Sequence, residues 1–406
     1  MTGGEFFDAL ERRDPAERER ILLERLAGQV AYARANSAHY ARLLETLDPA
    51  AVTSREALAA LPVTRKSDLP RLQAAAKPFG GLEATRASGL ARIFMSPGPI
   101  YDPEGRRADY WRTARALFAA GFRPGDVVLN CFSYHLTPAG SMFETGLHHL
   151  DCAVIPGGVG QTELQARAIA DLEPAGYVGT PSFLKLILEK CDELGLPSRS
   201  LTRALVSGEA FLPPVRDFMA ARGVDCYQGY GTADLGMVAY ESPAREGLLV
   251  NEDMIVEIVR PGTGDPVREG EVGEVLVTPF NADYPLLRFA TGDLSAVLPG
   301  QSACGRTNMR IRGWMGRADQ TTKVRGMFVH PHQVADVLRR HGLARGRLVV
   351  ENDAGEDRMT LRVEGRVDAP AVEATLREVM KVRGEVASVE SLPNDGKVIE
   401  DARVYR

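Results

Sequence analysis

A glycine-rich segment that carries one carboxylate, residues 227–234, is the first part of the chain whose residue types could do chemistry. It follows an apolar run typical of a strand, and its glycines, Gly229 and Gly231, let a backbone loop approach a ligand closely. Ligands of parallel α/β sheets lie at the carboxyl ends of the strands, where Asp234 would offer its oxygens. Taken alone, the segment is also typical of a solvated turn.

An aspartate that directly follows a glycine, Asp293, is the second candidate. It lies near the end of the segment 285–294, which reads Pro-Leu-Leu-Arg-Phe-Ala-Thr-Gly-Asp-Leu. A carboxylate has two accepting oxygens, which suit the two hydroxyls of a ribose. A solvated turn is again the alternative for this segment.

A lysine in a glycine turn, Lys397, is the third candidate because lysine is rare in this chain. Only seven of the 49 basic residues are lysines, and the rest are arginines. An ammonium group between two anions lowers their mutual repulsion as negative charge concentrates at a bridging oxygen. The alternative is an exposed lysine in a terminal loop.

The composition excludes several classes of protein. With 406 residues, 44% of them apolar and 25% charged, the chain can bury one large core and one small one. A formal net charge of −5 gives no electrostatic footprint for nucleic acid or an anionic membrane, so small molecules are the expected partners. No apolar run is long enough to cross a bilayer and no apolar signal core follows the N-terminus, which predicts a cytoplasmic protein.

The candidate residues must be positioned by regular elements, and the hydrophobic pattern predicts where these lie. Amphipathic helical spacing covers residues 5–47. Short apolar runs then alternate with longer helical ones over residues 93–225, which predicts right-handed crossovers and a parallel sheet. Residues 254–278 form short β segments joined by a glycine- and proline-rich hairpin region, so the sheet is predicted to be mixed. After Arg317 the pattern indicates a compact α+β region of roughly 90 residues.

The order of these segments resembles the adenylate-forming superfamily, in particular phenylacetate-CoA ligase-like enzymes, from about Leu61 to the C-terminus. Besides the segments quoted above, the resemblance is carried by Gly-Arg-Ala-Asp at 316–319 and by four further stretches. They read Gly-Gly-Val-Gly-Gln-Thr-Glu at 157–163, Thr-Pro-Ser-Phe-Leu at 180–184, Cys-Gly-Arg-Thr at 304–307 and Arg-Gly-Met-Phe-Val-His-Pro at 325–331. Enzymes of this subfamily activate aryl or acyl carboxylates with ATP and pass them to coenzyme A.

The resemblance implies an α/β fold class with two domains. A large AMP- and acyl-binding domain, residues 1–316, would contain mixed, mostly parallel sheets and helices, and residues 317–406 would form a small, mobile α+β lid domain. Asp319 would be the hinge about which the small domain swings. Lys397 would be the lysine that this domain delivers to the carboxylate and the α-phosphate during adenylation.

The resemblance also implies a nucleotide site. Asp293 would bind the ribose hydroxyls, and Arg317 would bind the ribose or the α-phosphate. Asp234 stands where the family usually carries a glutamate that holds magnesium. The other positions implied for nucleotide binding, of which the first three would line the adenine site, are Ser207, Gly208, Glu209, Tyr230 and Gly231.

The phosphate-binding loop departs from the pattern of the family. In relatives it reads like S-S-G-T-T-G-K-P-T, whose amides and lysine cradle the β- and γ-phosphates. Residues 96–104 here read Ser-Pro-Gly-Pro-Ile-Tyr-Asp-Pro-Glu. Ser96 and Gly98 remain, prolines remove amide donors, and Asp102 places a carboxylate where the lysine would stand. Because an aspartate within ~5 Å of a phosphate would oppose binding by about a few kcal/mol, we predict a degenerate phosphate loop.

The acyl pocket is implied by the stretch 132–140, which looks like the aryl-binding loop of the family. Tyr134 could stack on an aromatic acid, His135 could serve as a base, and Gly140 closes the stretch. The sequence leaves open that Tyr134 is a core residue and His135 a satisfied polar group.

No structural metal is expected. Some relatives bind zinc through a Cys…His pair and a C-x-C ahead of G-R-T, but here Ser242, Leu249 and Ser302 occupy the corresponding positions and only Cys304 remains. The five cysteines are scattered without a C-x-x-C motif, which disfavours a disulfide framework and a zinc ribbon.

The sequence therefore predicts an enzyme that forms an acyl- or aryl-adenylate and then a thioester with coenzyme A. ATP or AMP with Mg²⁺ and coenzyme A are the expected cofactors. The expected partners are a small carboxylic acid and either coenzyme A or the pantetheine of a carrier protein, and a homodimer is left open. Two alternatives remain: an ATP-independent acyl or aryl transferase on the same scaffold, and a non-catalytic sensor of a nucleotide or an acyl-CoA.

Overall fold

The computed structural model describes residues 5–315, 317–318, 322–329, 331–353, 356–393 and 398–403. The chain separates into two compact units. The large unit comprises the chain up to Trp314 without Leu212–Pro214. The small unit comprises Leu212–Pro214 and the chain from Met315 onward. Each unit has an apolar core of its own.

Helix boundaries in the first part of the chain follow local capping signals. Helix α1 (Pro15–Asn36) begins after Asp14, whose carboxylate accepts two backbone N–H groups of the first turn, and its buried face repeats at Leu22, Leu26 and Val30. The helices that follow are α2 (Ala38–Leu43), α3 (Arg55–Ala59), α4 (Leu69–Ala75), α5 (Ala114–Ala119), α6 (Ala139–His149), α7 (Thr162–Leu172), α8 (Pro181–Leu194) and α9 (Pro213–Ala221).

The largest sheet is half parallel and half antiparallel. Strands of the large unit are β1 (Thr64–Arg65), β2 (Arg92–Ser96), β3 (Ile100–Glu104), β4 (Val127–Asn130), β5 (Ala153–Ile155), β6 (Gly176–Gly179), β7 (Arg203–Val206), β8 (Asp225–Thr232), β9 (Gly236–Glu241), β10 (Leu248–Val250), β11 (Met254–Val259), β12 (Gly273–Pro279), β13 (Phe289–Ser295), β14 (Val297–Leu298) and β15 (Arg310–Ile311). The order in this sheet is β14-β15-β10-β9-β8-β7-β6-β4-β5. Strands β5, β4, β6, β7 and β8 run parallel, and the remaining pairs are antiparallel.

The parallel strands place three predicted segments at one edge of this sheet. Strand β4 ends before residues 131–140, β7 ends before residues 207–209, and β8 runs into residues 232–234. Because the carboxyl ends of parallel strands share an edge, these segments converge although they are far apart in sequence.

A second sheet, of order β1-β13-β12-β11, carries Asp293 on β13 and Lys66 directly after β1. Strand β1 pairs parallel with β13, and the other pairs are antiparallel. Arg288 stabilises this region and is only 1% exposed. Its guanidinium donates to the carboxylate of Glu257 and to three backbone carbonyls, those of Ala59, Leu61 and Gly264. This buried network fixes the chain that leads into Lys66.

The segment predicted as a degenerate phosphate loop is a β-hairpin. Strands β2 and β3 pair antiparallel, with Ser96 opposite Ile100 and Phe94 opposite Asp102. Residues 97–99 make the turn, and two of these three residues are prolines. Only Gly98 can donate an N–H there.

The small unit is an α+β module. Its elements are β16 (Thr322–Val324), β17 (Met327–Val329), α10 (Pro331–Arg340), β18 (Gly346–Asp353), β19 (Glu356–Glu364), α11 (Ala369–Met380), β20 (Glu385–Val389) and β21 (Ile399–Asp401). Its four-stranded sheet has the order β20-β19-β18-β21, in which β18 and β19 form an antiparallel hairpin and the outer strands pair parallel.

The predicted alternation of strands and helices is confirmed, and so is the mixed character of the sheets. The hairpin predicted within residues 254–278 is the β11–β12 pair. Within the described ranges, no helix has both the length and the apolar character that a membrane span requires.

Candidate active site

Asp293 is a buried carboxylate held by two aromatic side chains. It is 8% exposed, and its Oδ2 accepts from the hydroxyl of Tyr230 at 3.0 Å. Its Oδ1 accepts from the indole Nε1 of Trp314 at 3.1 Å. Tyr230 is therefore brought together with Asp293, as the predicted nucleotide site requires. A carboxylate has two accepting oxygens with about four lone-pair sites, a donor set that suits the two hydroxyls of a ribose.

The segment predicted for adenine, Ser207, Gly208 and Glu209, lies directly after β7. The Ser207 hydroxyl donates to the carbonyl of Gly229 at 2.8 Å, which ties this segment to the glycine-rich one. The carboxylate of Glu209 accepts from the N–H of Ser182 at 2.7 Å. Gly208 has φ +84°, a left-handed conformation that a side chain would disfavour.

Gly231 is needed for close packing of the loop that carries Asp234. A Cβ at this position would meet the carbonyl oxygen of Gly236 at 2.5 Å, well inside van der Waals contact. The pairing of β8 with β9 shifts register between Tyr230 and Gly231. The irregularity bends the strand and places Asp234 beyond it.

Asp234 forms a buried ion pair with Lys66 that the sequence analysis did not predict. The Nζ of Lys66 lies 2.5 Å from Oδ2 of Asp234. The side chain of Asp234 is fully buried, and that of Lys66 is 23% exposed. Burial opposes the charge of the ammonium, but the carboxylates of Asp234 and Asp102 outweigh this and raise the pKa of Lys66. The scarcity of lysine, which singled out Lys397, would have pointed to Lys66 as well.

Asp102 lies beside this ion pair and is 0% exposed. Neither of its carboxyl oxygens has a hydrogen-bond partner in the described part of the chain. Ser96 is close enough to favour the charged form, but its groups do not reach the geometry of a hydrogen bond to Asp102. Burial and the carboxylate of Asp234 raise the pKa of Asp102 to about 8, although Lys66 acts in the opposite direction. We therefore expect Asp102 to be mostly protonated at pH 7.

The charge of the cluster formed by Lys66, Asp102 and Asp234 follows from this protonation. With Asp102 neutral, the ammonium and the carboxylate of Asp234 compensate each other. From the sequence alone, Asp102 is a negative charge that faces the triphosphate, and a protonated carboxyl removes much of that repulsion. The loss of amide donors in the hairpin turn remains.

The loop predicted to bind the acyl group is organised by one buried amide. Asn130 donates to the hydroxyl of Tyr134 at 2.8 Å and to the carbonyl of Gly140 at 2.9 Å. Tyr134 is half-buried and His135 is exposed. A Cβ on Gly140 would meet the Tyr134 ring at 2.8 Å, so the glycine lets the ring pack closely against the start of α6.

Three predicted residues belong to the small unit. Arg317 is half-buried near its beginning. Asp319 and Lys397 lie outside the described residues, so their predicted roles as hinge and catalytic lysine stay predictions.

The magnesium that the family implies can be tested against the donors present. Oδ1 of Asp234 is buried and has no partner among the described residues. Mg²⁺ is commonly bound through one or two carboxylates together with substrate phosphates, so one such oxygen fits a site completed by a nucleotide. No group of three or more His, Cys, Asp or Glu residues in the described ranges is arranged to hold a metal by itself.

The chain is similar to several known proteins. The family model for AMP-binding enzymes matches residues 108–279. Phenylacetate-coenzyme A ligase of Thermus thermophilus is 32% identical over 370 residues, which cover 86% of this chain and 82% of that protein. The Escherichia coli K12 protein of the same name is 29% identical over 377 residues, covering 88% and 84%.

A solved structure of 2-hydroxyisobutyryl-CoA ligase, in complex with 2-HIB-AMP and CoA in the thioesterification state, is similar to this chain over nearly its whole length. The TM-score is 0.81 at 26% identity, and the match covers 99% of this chain and 94% of that one. The segments that carry Asn130, Asp234 and Asp293 all lie in the large unit that this match includes.

Proposed function

The chain belongs to the phenylacetate-coenzyme A ligase family of adenylate-forming enzymes, and from this membership we propose that it activates a carboxylic acid with ATP and transfers the acyl group to coenzyme A. The observation that carries the proposal is the convergence of Asp293, Tyr230 and the glycine-rich loop at the edge of the large sheet. That arrangement offers a buried acceptor for a ribose beside a carboxylate, Asp234, that is suited to magnesium.

The proposed reaction has two steps. In the first, a carboxylate oxygen of the acid attacks the α-phosphorus of ATP, a new P–O bond forms, and the bond to the β-phosphate breaks to release pyrophosphate. In the second, the thiol of coenzyme A loses its proton and attacks the acyl carbon. A C–S bond forms, the C–O bond to AMP breaks, and acyl-CoA and AMP leave.

Residues of the large unit bind and orient the nucleotide in this proposal. Asp293 accepts the ribose hydroxyls while Tyr230 and Trp314 hold its carboxylate in place. Ser207, Gly208 and Glu209 line the adenine, with the main chain supplying much of the recognition. Bound Mg²⁺ would be held by Asp234 and would neutralise negative charge on the phosphates.

The acid lies near the loop of Tyr134 and Gly140, and the half-buried Tyr134 ring suits an aryl or hydrophobic acyl group. His135 is exposed and is proposed as a base only if the loop closes over the acid. Arg317, Asp319 and Lys397 complete the proposal from the small unit, as ligand for the ribose or α-phosphate, hinge and catalytic lysine.

Replacing Tyr230 by phenylalanine is expected to raise the KM for ATP about tenfold, because Asp293 loses one charge-assisted hydrogen bond that orients it. The matched control is Tyr227→Phe, since Tyr227 lies on the same strand and donates to a different aspartate, Asp225, at 2.8 Å. Initial rates at varied ATP with saturating acid would measure the effect. Equal KM values in the two variants would show that Asp293 does not contact the nucleotide.

The proposal as a whole is tested with a panel of aryl, branched and 2-hydroxy carboxylic acids, each with ATP, Mg²⁺ and coenzyme A. A true substrate should release pyrophosphate and AMP and give an acyl-CoA in equal amounts. Replacing coenzyme A by a pantetheine-loaded carrier protein distinguishes the two classes of acceptor.

A second candidate, an ATP-independent acyl transferase, is favoured by the proline-rich hairpin turn, which keeps a single N–H donor. A transferase needs the acyl pocket and a thiol path but no cradle for a triphosphate. If no acid in the panel yields pyrophosphate while an acyl-CoA exchanges its acyl group with free thiols, the transferase function replaces the ligase. Ligand-dependent thermal stabilisation without turnover in either assay would indicate a sensor.

A further inference from the structure

We propose that a cavity in the large unit, separate from the residues assigned to the nucleotide, binds a phosphate group. The cavity has a volume of about 190 Å³ and is lined by Arg107, Arg112 and Arg115 together with Asp109, His149 and Asp253. Nothing in the proposed reaction uses these side chains.

The environment of Arg112 is the main observation that indicates a bound anion. It is 8% exposed, and its Nη2 donates to the carbonyl of Leu235. Its Nε and Nη1, which carry three of its five N–H groups, are buried without an acceptor in the described part of the chain. A buried guanidinium in this condition loses its hydration and gains little in return, which is costly.

The charges around Arg112 do not balance it. Burial and the neighbouring Arg107 lower the pKa of Arg112 to about 10, so the group stays charged at pH 7 in surroundings that oppose the charge. An anion bound beside it would relieve both effects.

The two acids of the cavity are already engaged elsewhere. Oδ1 of Asp109 accepts from the N–H groups of Thr113 and Ala114, and Oδ1 of Asp253 accepts from Arg25 at 2.6 Å. Of the other two cavity arginines, Arg115 is paired with Asp8 through both terminal nitrogens, at 2.8 and 2.7 Å.

Arg107, in contrast, is exposed, and it contacts the carbonyl and the ring of Tyr110. Counting the cavity residues with their direct ion-pair partners, four arginines (25, 107, 112 and 115) face three aspartates (8, 109 and 253). The cavity thus keeps one positive charge in excess, borne by Arg107 and Arg112.

A phosphate group matches this arrangement in size and chemistry. The volume is ample for a tetrahedral oxyanion. Guanidinium groups bind phosphate oxygens through paired N–H donors, more specifically than an ammonium group would. The contact of Arg112 with Leu235 also connects the cavity to the loop that holds Asp234, so an anion here would steady the neighbouring candidate active site.

The experiment titrates the full-length protein with inorganic phosphate at constant ionic strength, with thermal unfolding and calorimetry as readouts. Saturating AMP is included in one arm to fill phosphate positions of the nucleotide site. We expect the unfolding midpoint to rise by about several degrees when phosphate exceeds its Kd roughly a hundredfold. Because the readout is binding, it does not depend on whether the protein proves to be a ligase.

Two variants locate the effect. Arg112→Met removes the buried charge, and Arg107→Met removes an exposed one whose loss leaves folding intact. Both should weaken phosphate binding by on the order of tenfold or more. Without phosphate, the Arg112→Met protein should unfold at the same temperature as the wild type or higher, since an uncompensated buried charge has been removed. Arg167→Met, an exposed change on α7, is the control and should bind phosphate normally.

Comparing the binding of coenzyme A with that of 3′-dephospho-coenzyme A identifies the source of the phosphate group. A preference for coenzyme A that is lost in Arg112→Met assigns the site to the 3′-phosphate of the cosubstrate. Stabilisation by inorganic phosphate with no such preference assigns it to the free anion. The proposal is overturned if phosphate fails to stabilise the wild type, or if it stabilises the Arg107 and Arg112 variants as strongly as it stabilises the wild type.

Discussion

Replacement of Lys397 by alanine is expected to lower the rate of adenylate formation about a hundred- to a thousandfold and to leave AMP binding nearly unchanged. The expected loss of rate follows from where the positive charge of Lys397 acts. During attack on the α-phosphorus, negative charge concentrates between the carboxylate and the phosphate, and an ammonium delivered there stabilises the transition state more than the ground state. Nucleotide affinity in our proposal comes instead from Asp293 and its neighbours in the large unit.

The measurement is the exchange of labelled pyrophosphate into ATP in the presence of the acid, set beside AMP binding by calorimetry. Thioester formation from a chemically prepared acyl-adenylate should be affected much less, because that step does not involve the α–β phosphate bond. Lys381→Asn is the matched control: it removes another ammonium of the small unit, and asparagine tolerates the left-handed backbone found there, φ +59°. If both variants exchange pyrophosphate equally, Lys397 has no special role.

The elements of the fold could be predicted because their signals are local. Residues 127–130, 176–179 and 203–206 are short apolar runs followed by helical spacing, and each became a parallel strand with a crossover helix. Parallel pairing then brings their carboxyl ends together, so residues that follow these strands could be placed near a common edge from topology alone.

The ion pair between Lys66 and Asp234 could not be predicted in the same way. These residues are separated by 168 positions and come from different sheets, and no periodicity records which side chains will meet. Long-range pairing of this kind depends on how the two sheets pack against each other. The pattern of residue types along the chain does not predict that packing.

The protonation of Asp102 could not be predicted from the sequence either, because the charge of a carboxyl group depends on its surroundings as well as on its residue type. From the sequence, Asp102 stands where relatives carry a lysine and is assigned a negative charge. In the fold it lies on β3 away from water and beside a second carboxylate. Burial and the carboxylate of Asp234 favour the neutral form there, which changes the expected effect on a nearby phosphate.

Replacement of Asp102 by asparagine is expected to make the protein more stable than the wild type at alkaline pH by about several kcal/mol, and to change little near pH 4. An aspartate has a pKa near 3.9 in the unfolded chain, and burial and Asp234 raise the pKa of Asp102 to about 8 in the folded protein. Between these values the folded state holds a proton that the unfolded state has released. Stability therefore falls as the pH rises through this window, by at most about 1.4 kcal/mol per pH unit.

An uncharged amide does not titrate, so the stability advantage of the variant should grow from about pH 4 to about pH 8 and then level off. Denaturant unfolding at pH 5, 7 and 9 would measure it. Asp171→Asn, an exposed change on α7, is the control and should run parallel to the wild type. The pH dependence belongs to the cluster as a whole, because Lys66 and Asp234 titrate in contact with Asp102. A variant that is less stable than the wild type at every pH would show that Asp102 is ionised and paired with Lys66.

The same substitution connects the hairpin to catalysis. If Asp102 is protonated at pH 7, Asp102→Asn should leave the KM for ATP close to that of the wild type there, since a neutral group replaces a neutral group. Above about pH 8 the wild type acquires a negative charge beside Lys66 and Asp234, and its KM for ATP should rise while that of the variant stays level. The KM profile of the two proteins between pH 6.5 and 9.5, a range set by the assay, distinguishes these cases. Parallel profiles would place the triphosphate away from this cluster, whatever the stability measurements show.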